Sequence, residues 1–312
     1  MKIEELNLTT TMEEQSEVVI EFQYFRIYKD GRIDRLLGEE IVPPTPEAES
    51  GVRSKDVVVS PESGLSARLF LPEMPDPTRR VPLVVFLHGG AFCIETPFSP
   101  RYHRHGVDLA ADADAIILSV HYRRAPEHPL PIAYDDTWDA LRWTASHVGG
   151  TGPEAWLNDH VDFGRVFLVG ASAGATLAHY AARRAGLEGG PCGLHIFGVV
   201  LVHPFFGNDQ PDKLIQFIYP TNTGSGDPKL NPGMDPELGR LGCGRVLVFV
   251  AEKDFLKDRG LAYYEALKKS EWKGKVEIVE SKGEDHTFHL FNPNSENAIA
   301  LMNMLVSFVK HE

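Results

Sequence analysis

Six short apolar runs recur along the chain: 82–87 (PLVVFL), 115–120 (AIILSV), 166–169 (VFLV), 197–202 (FGVVLV), 246–250 (VLVFV) and 276–279 (VEIV). Their near-continuous hydrophobicity, without the alternation of a half-solvated strand, predicts strands buried on both faces. Between them lie stretches of helical character: DDTWDALRWTASH, the segment after Ser172, AYYEALKKS and SENAIALMNMLVSF. Repeated strand–helix alternation leaves few solutions. It implies a mostly parallel sheet with helices on both faces, an α/β fold. Ligands of such sheets sit beyond the carboxyl ends of the strands, so the loops after the apolar runs are where chemistry is sought.

The chain before residue 81 has another character. Residues up to about Glu21 are polar and acidic, fit for a loose segment or a lid helix, and FRIYKDGRIDRL (25–36) carries a hairpin signal at Asp30-Gly31. A Pro-rich connector, VPPTPEAESG, precedes KDVVVS and SARLFLP, a second antiparallel pair around the turn PESG. The expected division is an N-terminal lid segment with the first hairpin (1–50) and a core (51–312) with a short cap insertion around 206–231.

Composition narrows the function. With 312 residues, 43% of them hydrophobic, the chain can bury a large core. A formal net charge of −13 weighs against nucleic acid or an anionic membrane as partner and favours a small-molecule ligand. Cys93, Cys192 and Cys243 form no CxxC pair and stand at no zinc-ligand spacing, so neither a disulfide framework nor a metal site is expected. The acidic N-terminus resembles no secretory signal, and no apolar run is long enough to span a bilayer; a cytoplasmic monomer or homodimer is the expectation.

The stretch 165–186, RVFLVGASAGATLAHYAARRAG, carries the sharpest chemical signal. A strand stops at Gly170, Ser172 stands between two alanines, and a helix restarts after Gly174. Small neighbours let a strand reverse sharply into a helix, which lifts the serine hydroxyl out of the sheet and aims the helix N-terminus at it. A serine becomes nucleophilic only beside a base, and a histidine base needs a carboxylate to hold its tautomer. In this architecture the order is serine, acid, histidine. Asp254, in VLVFVAEKDFLKDRG, is the expected acid, ahead of Asp258 and of Glu252, and His286, in VEIVESKGEDHTFHLF, is the expected base, with His289 lining the pocket or capping the next segment. Backbone N–H groups of Gly89 and Gly90, in the turn His88-Gly89-Gly90-Ala91-Phe92, together with that of Ala173, are the expected oxyanion donors.

These motifs, with YKDGRIDRL, FLHGGAF, HYRRAPEHPLPIAYDD, AEKDFLKDRG and GEDHTFHLFNP in the same order, resemble those of the plant carboxylesterases, in the hormone-sensitive-lipase-like branch of the α/β hydrolases. The resemblance implies an α/β-hydrolase fold, cofactor-free ester hydrolysis, a Ser172–Asp254–His286 triad, and a lid built partly from the N-terminal segment. Two related groups supply other readings: 2-hydroxyisoflavanone dehydratases, which typically carry threonine at the nucleophile position, and gibberellin receptors, which lack the histidine. Three departures from the family pattern stand out. Ala91 replaces the third glycine of HGGG, Ala171 replaces the acid of GDSAG, and the stretch 206–231 is shorter than usual where cap helices belong. A shortened cap predicts an open pocket lined by Phe92, Ile94, Phe205, Phe217 and Phe288, and hence a preference for short acyl chains; the alternative is that the N-terminal segment around Phe22, Tyr24 and Phe25 folds over to fill the gap.

Overall fold

In the computed structural model, which describes residues 17–45, 51–208, 210 and 212–311, all six apolar runs are strands of one eight-stranded sheet. They form β6 (Val81–Leu87), β7 (Ile116–His121), β8 (Val161–Ala171), β9 (Ile196–Val202), β10 (Arg245–Ala251) and β11 (Lys275–Ser281). With β4 (Val52–Ser60) and β5 (Leu65–Pro72) the spatial order is β11-β10-β9-β8-β6-β7-β5-β4. From β11 to β7 the neighbours are parallel, while β5 is antiparallel to both β7 and β4. The continuous hydrophobicity is explained by burial on both faces. Leu83, Val85 and Leu87 enter one core layer with Leu141 and Leu177, whereas Val84 and Phe86 enter the other with Leu109 and Leu305.

The N-terminal part differs from expectation in one element. Val18–Glu21 is a strand, β1, paired with β2 (Phe25–Tyr28), which in turn pairs with β3 (Ile33–Arg35) in a separate antiparallel sheet. Its run Val18-Val19-Ile20 is β-branched and finds a partner edge, so strand pairing wins over a helix there. Of the N-terminal lid segment expected over 1–50, residues 1–16 and 46–50 lie outside the described residues. A second addition is the helix Pro100–Ala113, which opens on Ser99-Pro100, a helix-start pair, and buries Tyr102, His105, Gly106, Leu109, Ala110 and Ala113 along one face. Gly106 lets it approach the sheet, since a Cβ there would lie 2.6 Å from the Phe70 ring. No helix among the described residues is long and apolar enough to cross a membrane.

Burial of histidines couples this core to pH. His179 and His203 are each 1% exposed, and burial above all pushes both down to about 3. The unfolded chain protonates them near the ordinary value of about 6.5. Their contribution to stability is therefore complete above that value and is lost as pH falls toward the folded value, by about 1.4 kcal/mol per pH unit and per group. Melting temperature is expected to be level from pH 8 to 7 and to drop steeply between pH 6 and 4.5. A calorimetric series flat to pH 4.5 would contradict this.

Candidate active site

At the end of β8 the chain turns into the helix Ala173–Glu188 through Ser172, whose φ of 53° and ψ of −118° lie in a region that side chains avoid. Both flanking glycines are required by contact. A Cβ on Gly170 would lie 2.2 Å from the Gly174 carbonyl oxygen, and one on Gly174 would lie 1.9 Å from that of Leu87. The turn is held by the Ser172 N–H donating to Val202 O at 2.8 Å. Ala171 is buried in the apolar layer that also holds Phe86 and Val202, and it does not line the cavity above Ser172.

The three residues separated in sequence meet here. The Ser172 hydroxyl lies 2.9 Å from His286 Nε2, and His286 Nδ1 lies 2.8 Å from Asp254 Oδ2. Asp254 follows β10, and its other oxygen accepts the Leu256 N–H at 2.8 Å. Burial pushes the Asp254 carboxyl up, but the His286 hydrogen bond and charge and the Leu256 N–H outweigh it and hold the group below the usual carboxylate range. An ionised Asp254 accepts a hydrogen bond from Nδ1–H, which holds the proton on that nitrogen and leaves the Nε2 lone pair facing the serine. The rival acids stand elsewhere. Glu252 accepts the Gly283 N–H at 2.7 Å on the surface, and Asp258 borders a different cleft, with Met234 and Arg259. His289 is buried and also misses the cavity; its ring packs between those of His105 and His203.

One oxyanion assignment is corrected. The Gly89 N–H donates to the Tyr102 hydroxyl at 2.8 Å, so it is already satisfied. Gly89 serves instead for close approach, because a Cβ there would lie 3.1 Å from Ser172 Cβ and 2.9 Å from Ala171 O. The N–H groups of Gly90, Ala91 and Ala173 have no protein acceptor among the described residues, and Gly90 and Ala91 border the cavity with Ser172. Gly90, at φ +110°, must be glycine, since a Cβ would lie 2.1 Å from Ile94 O. Ala91, whose own φ is 51°, presents the unpaired N–H that was expected of Gly89.

Above Ser172 lies a cavity of about 340 Å3, walled among others by Tyr24, Leu37, Ile94, Phe205, Phe255 and Phe291. Of the five residues expected in its lining, only Ile94 and Phe205 are there. Phe92 is fully buried, edge-on to Phe205 at 6.1 Å, and Phe288 packs against His203 in the other core layer. Phe217, on the short cap helix Lys213–Ile218, packs its ring at a tilt against those of Phe22 and Phe25, with centroids 5.4 and 6.3 Å away. That aromatic cluster seats the N-terminal strands on the cap and brings Tyr24 into the cavity wall. The gap left by the short cap is thus partly closed by the N-terminal segment, not left open. Tyr24 belongs to the N-terminal aromatic group whose folding over the gap is the alternative to an open pocket, whereas Phe255, next to Asp254, and Phe291 are not among the residues expected to line it.

Comparison with known proteins agrees with this arrangement. A family model described as alpha/beta hydrolase fold matches residues 84–290. The chain is 46% identical to "Probable carboxylesterase 7" of Arabidopsis thaliana, over 91% of this chain and 96% of that protein. It is 42% identical to a 2-hydroxyisoflavanone dehydratase of Glycyrrhiza echinata, over 91% and 93%. Among solved structures, an esterase of Pyrobaculum calidifontis superposes with a TM-score of 0.69 at 26% identity, covering 83% of this chain and 84% of that one. Fold, elbow and similarity coincide along nearly the whole chain, which belongs to the plant carboxylesterase family of the α/β hydrolases.

Proposed function

We propose that this protein is a serine carboxylesterase acting on small esters through an acyl-enzyme. The observation that carries the reading is the unbroken contact from Ser172 Oγ through His286 to Asp254. Ser172 Oγ attacks the ester carbonyl carbon as its proton passes to His286 Nε2. The carbonyl oxygen gathers negative charge beside the N–H groups of Gly90, Ala91 and Ala173, donors each worth about 3 kcal/mol of barrier. Collapse expels the alcohol, which takes the proton from His286, and a water activated by the same imidazole releases the acid. Asp254 keeps the imidazole in the productive tautomer. The free thiols Cys93, Cys192 and Cys243 suit a reducing, cytoplasmic setting.

A fluorophosphonate probe followed by peptide mapping tests the assignment. Label on Ser172 is the expected result, and an unlabelled protein, or label on another serine, would overturn it. A serine nucleophile in hydrogen-bond contact with a base favours acyl transfer over the elimination chemistry named for the dehydratase relative.

Substrate size follows from the cavity. About 340 Å3 must hold both acyl and alcohol parts, between aromatic walls from the N-terminal strands and the Asp254 and His286 loops. In an enclosed acyl tunnel each added methylene would gain about 0.8 kcal/mol, close to fourfold in kcat/KM. Here that gain is expected to stop early, so nitrophenyl acetate to butyrate should be turned over best and octanoate poorly. A steady rise through octanoate would refute the short-acyl reading.

A further inference from the structure

Ser172 and His286 come from different strand ends, yet the end of β9 and the residues after it are bonded both to Ser172 and to Thr287, the neighbour of His286. The Val202 carbonyl accepts the Ser172 N–H at 2.8 Å, and the Phe205 N–H donates to the Ser172 carbonyl at 3.1 Å. Between them, His203 Nδ1 accepts the N–H of Thr287, the residue next to His286, at 2.8 Å. The His203 and His286 rings lie 5.9 Å apart, and His203, Asp254 and His286 each bring one ring nitrogen or carboxylate oxygen within 4.8 Å of the others. Both ends of the Thr287–His203 bond sit at positive φ, 50° for Thr287 and 49° for His203. Non-glycine residues adopt that region at a cost, so the bond joins two points that the surroundings hold in place.

The chemistry of the bond is specific. An N–H donor requires a lone pair on Nδ1, so His203 must be the neutral Nε2–H tautomer. It is 1% exposed, and burial together with the neighbouring His286 holds it uncharged over the working pH range. Its Nε2 has no partner among the described residues, so only Nδ1 is engaged.

We propose that His203 is a positioning residue for ester hydrolysis: by accepting the Thr287 N–H it sets the reach of His286 to Ser172, so that one strand-end corner holds both nucleophile and base. The inference rests on the triad reading above. A misplacement near 1 Å in a reacting pair can lower the rate about 100-fold.

The geometry supplies its own discriminating test. Asparagine places Oδ1 where Nδ1 stands and can accept the Thr287 N–H, whereas glutamine carries its oxygen one bond further out. His203→Asn is expected to keep kcat for nitrophenyl acetate within about threefold, while His203→Gln loses about 100-fold in kcat with KM little changed. Melting temperatures are measured for both variants, and the assays are run well below either transition, so that unequal tolerance of positive φ enters stability and not the rate. Equal kcat in the two variants, whether both high or both low, would overturn the proposal. Ser172→Ala assayed in parallel separates the failures. An active Ser172→Ala protein would sink the triad reading itself, whereas an inactive one beside equal His203 variants sinks only the role of His203.

Discussion

Replacing Ser172 with alanine is expected to abolish hydrolysis of nitrophenyl acetate, with a loss in kcat on the order of 10⁶, and His286→Ala to do nearly the same. The two losses are large for the same reason and do not add. Without the hydroxyl no acyl-enzyme forms, and without the imidazole nothing within reach takes the proton. Among the described residues no second histidine lines the cavity with Ser172, since His289 and His203 are buried behind His286 and kept neutral by that burial. What remains is the rate that N–H donors and substrate binding alone provide, on the order of 10³ to 10⁴ over water. Both variants should fold, because each substitution only removes side-chain atoms bordering the cavity. Steady-state rates of purified protein decide the matter. A His286→Ala enzyme at near-normal rate would move the base elsewhere.

Asp254→Asn is expected to cost about 10⁴ in kcat with folding intact. The side-chain oxygen of asparagine can still accept the Leu256 N–H that Asp254 accepts at 2.8 Å, so the start of the following helix keeps its local bond. The damage falls on the other side. Facing His286 Nδ1, the amide NH2 is a donor, which favours the imidazole with its proton on Nε2, and that tautomer cannot take the serine proton. The variant should therefore bind substrate with little change in KM while its kcat collapses. A loss of tenfold or less would show that Asp254 does not govern the tautomer, and Glu252 would be the next residue to substitute.

The elbow was legible in residues 165–186 because each requirement there is local. The glycines, the serine and the following helix are neighbours in sequence, and the contacts that demand glycine at 170 and 174 arise within a few residues or from the adjacent strand. The meeting of Asp254 and His286 with Ser172 was legible for a related reason. In a parallel sheet every strand delivers its following loop to the same edge, so position after an apolar run predicts nearness in space. The separation of Asp254 from Asp258, four residues apart, was equally local.

The failures share the opposite property. Gly89 and Gly90 look alike in sequence, and only the hydroxyl of Tyr102, arriving from the helix Pro100–Ala113, shows which N–H is already taken. Phe92, Phe217 and Phe288 are apolar and close to the site in sequence, yet each turns into a core cluster, since an aromatic ring gains as much from burial in either direction. Phe291 reaches the cavity from the opposite end of the chain to Tyr24, whose segment the sequence offered only as an alternative filler of the gap. Hydrophobic periodicity and motif order therefore determined the layers, the strand ends and the three residues that meet at Ser172, because those depend on near neighbours and on a topology common to all parallel sheets. The tertiary structure decided which N–H groups stay unpaired, which aromatic rings wall the cavity, and that His203 clamps the loop beside His286. Each of these is a contact between residues far apart in the chain, and a hydrogen bond made or an N–H left free leaves no trace in residue type.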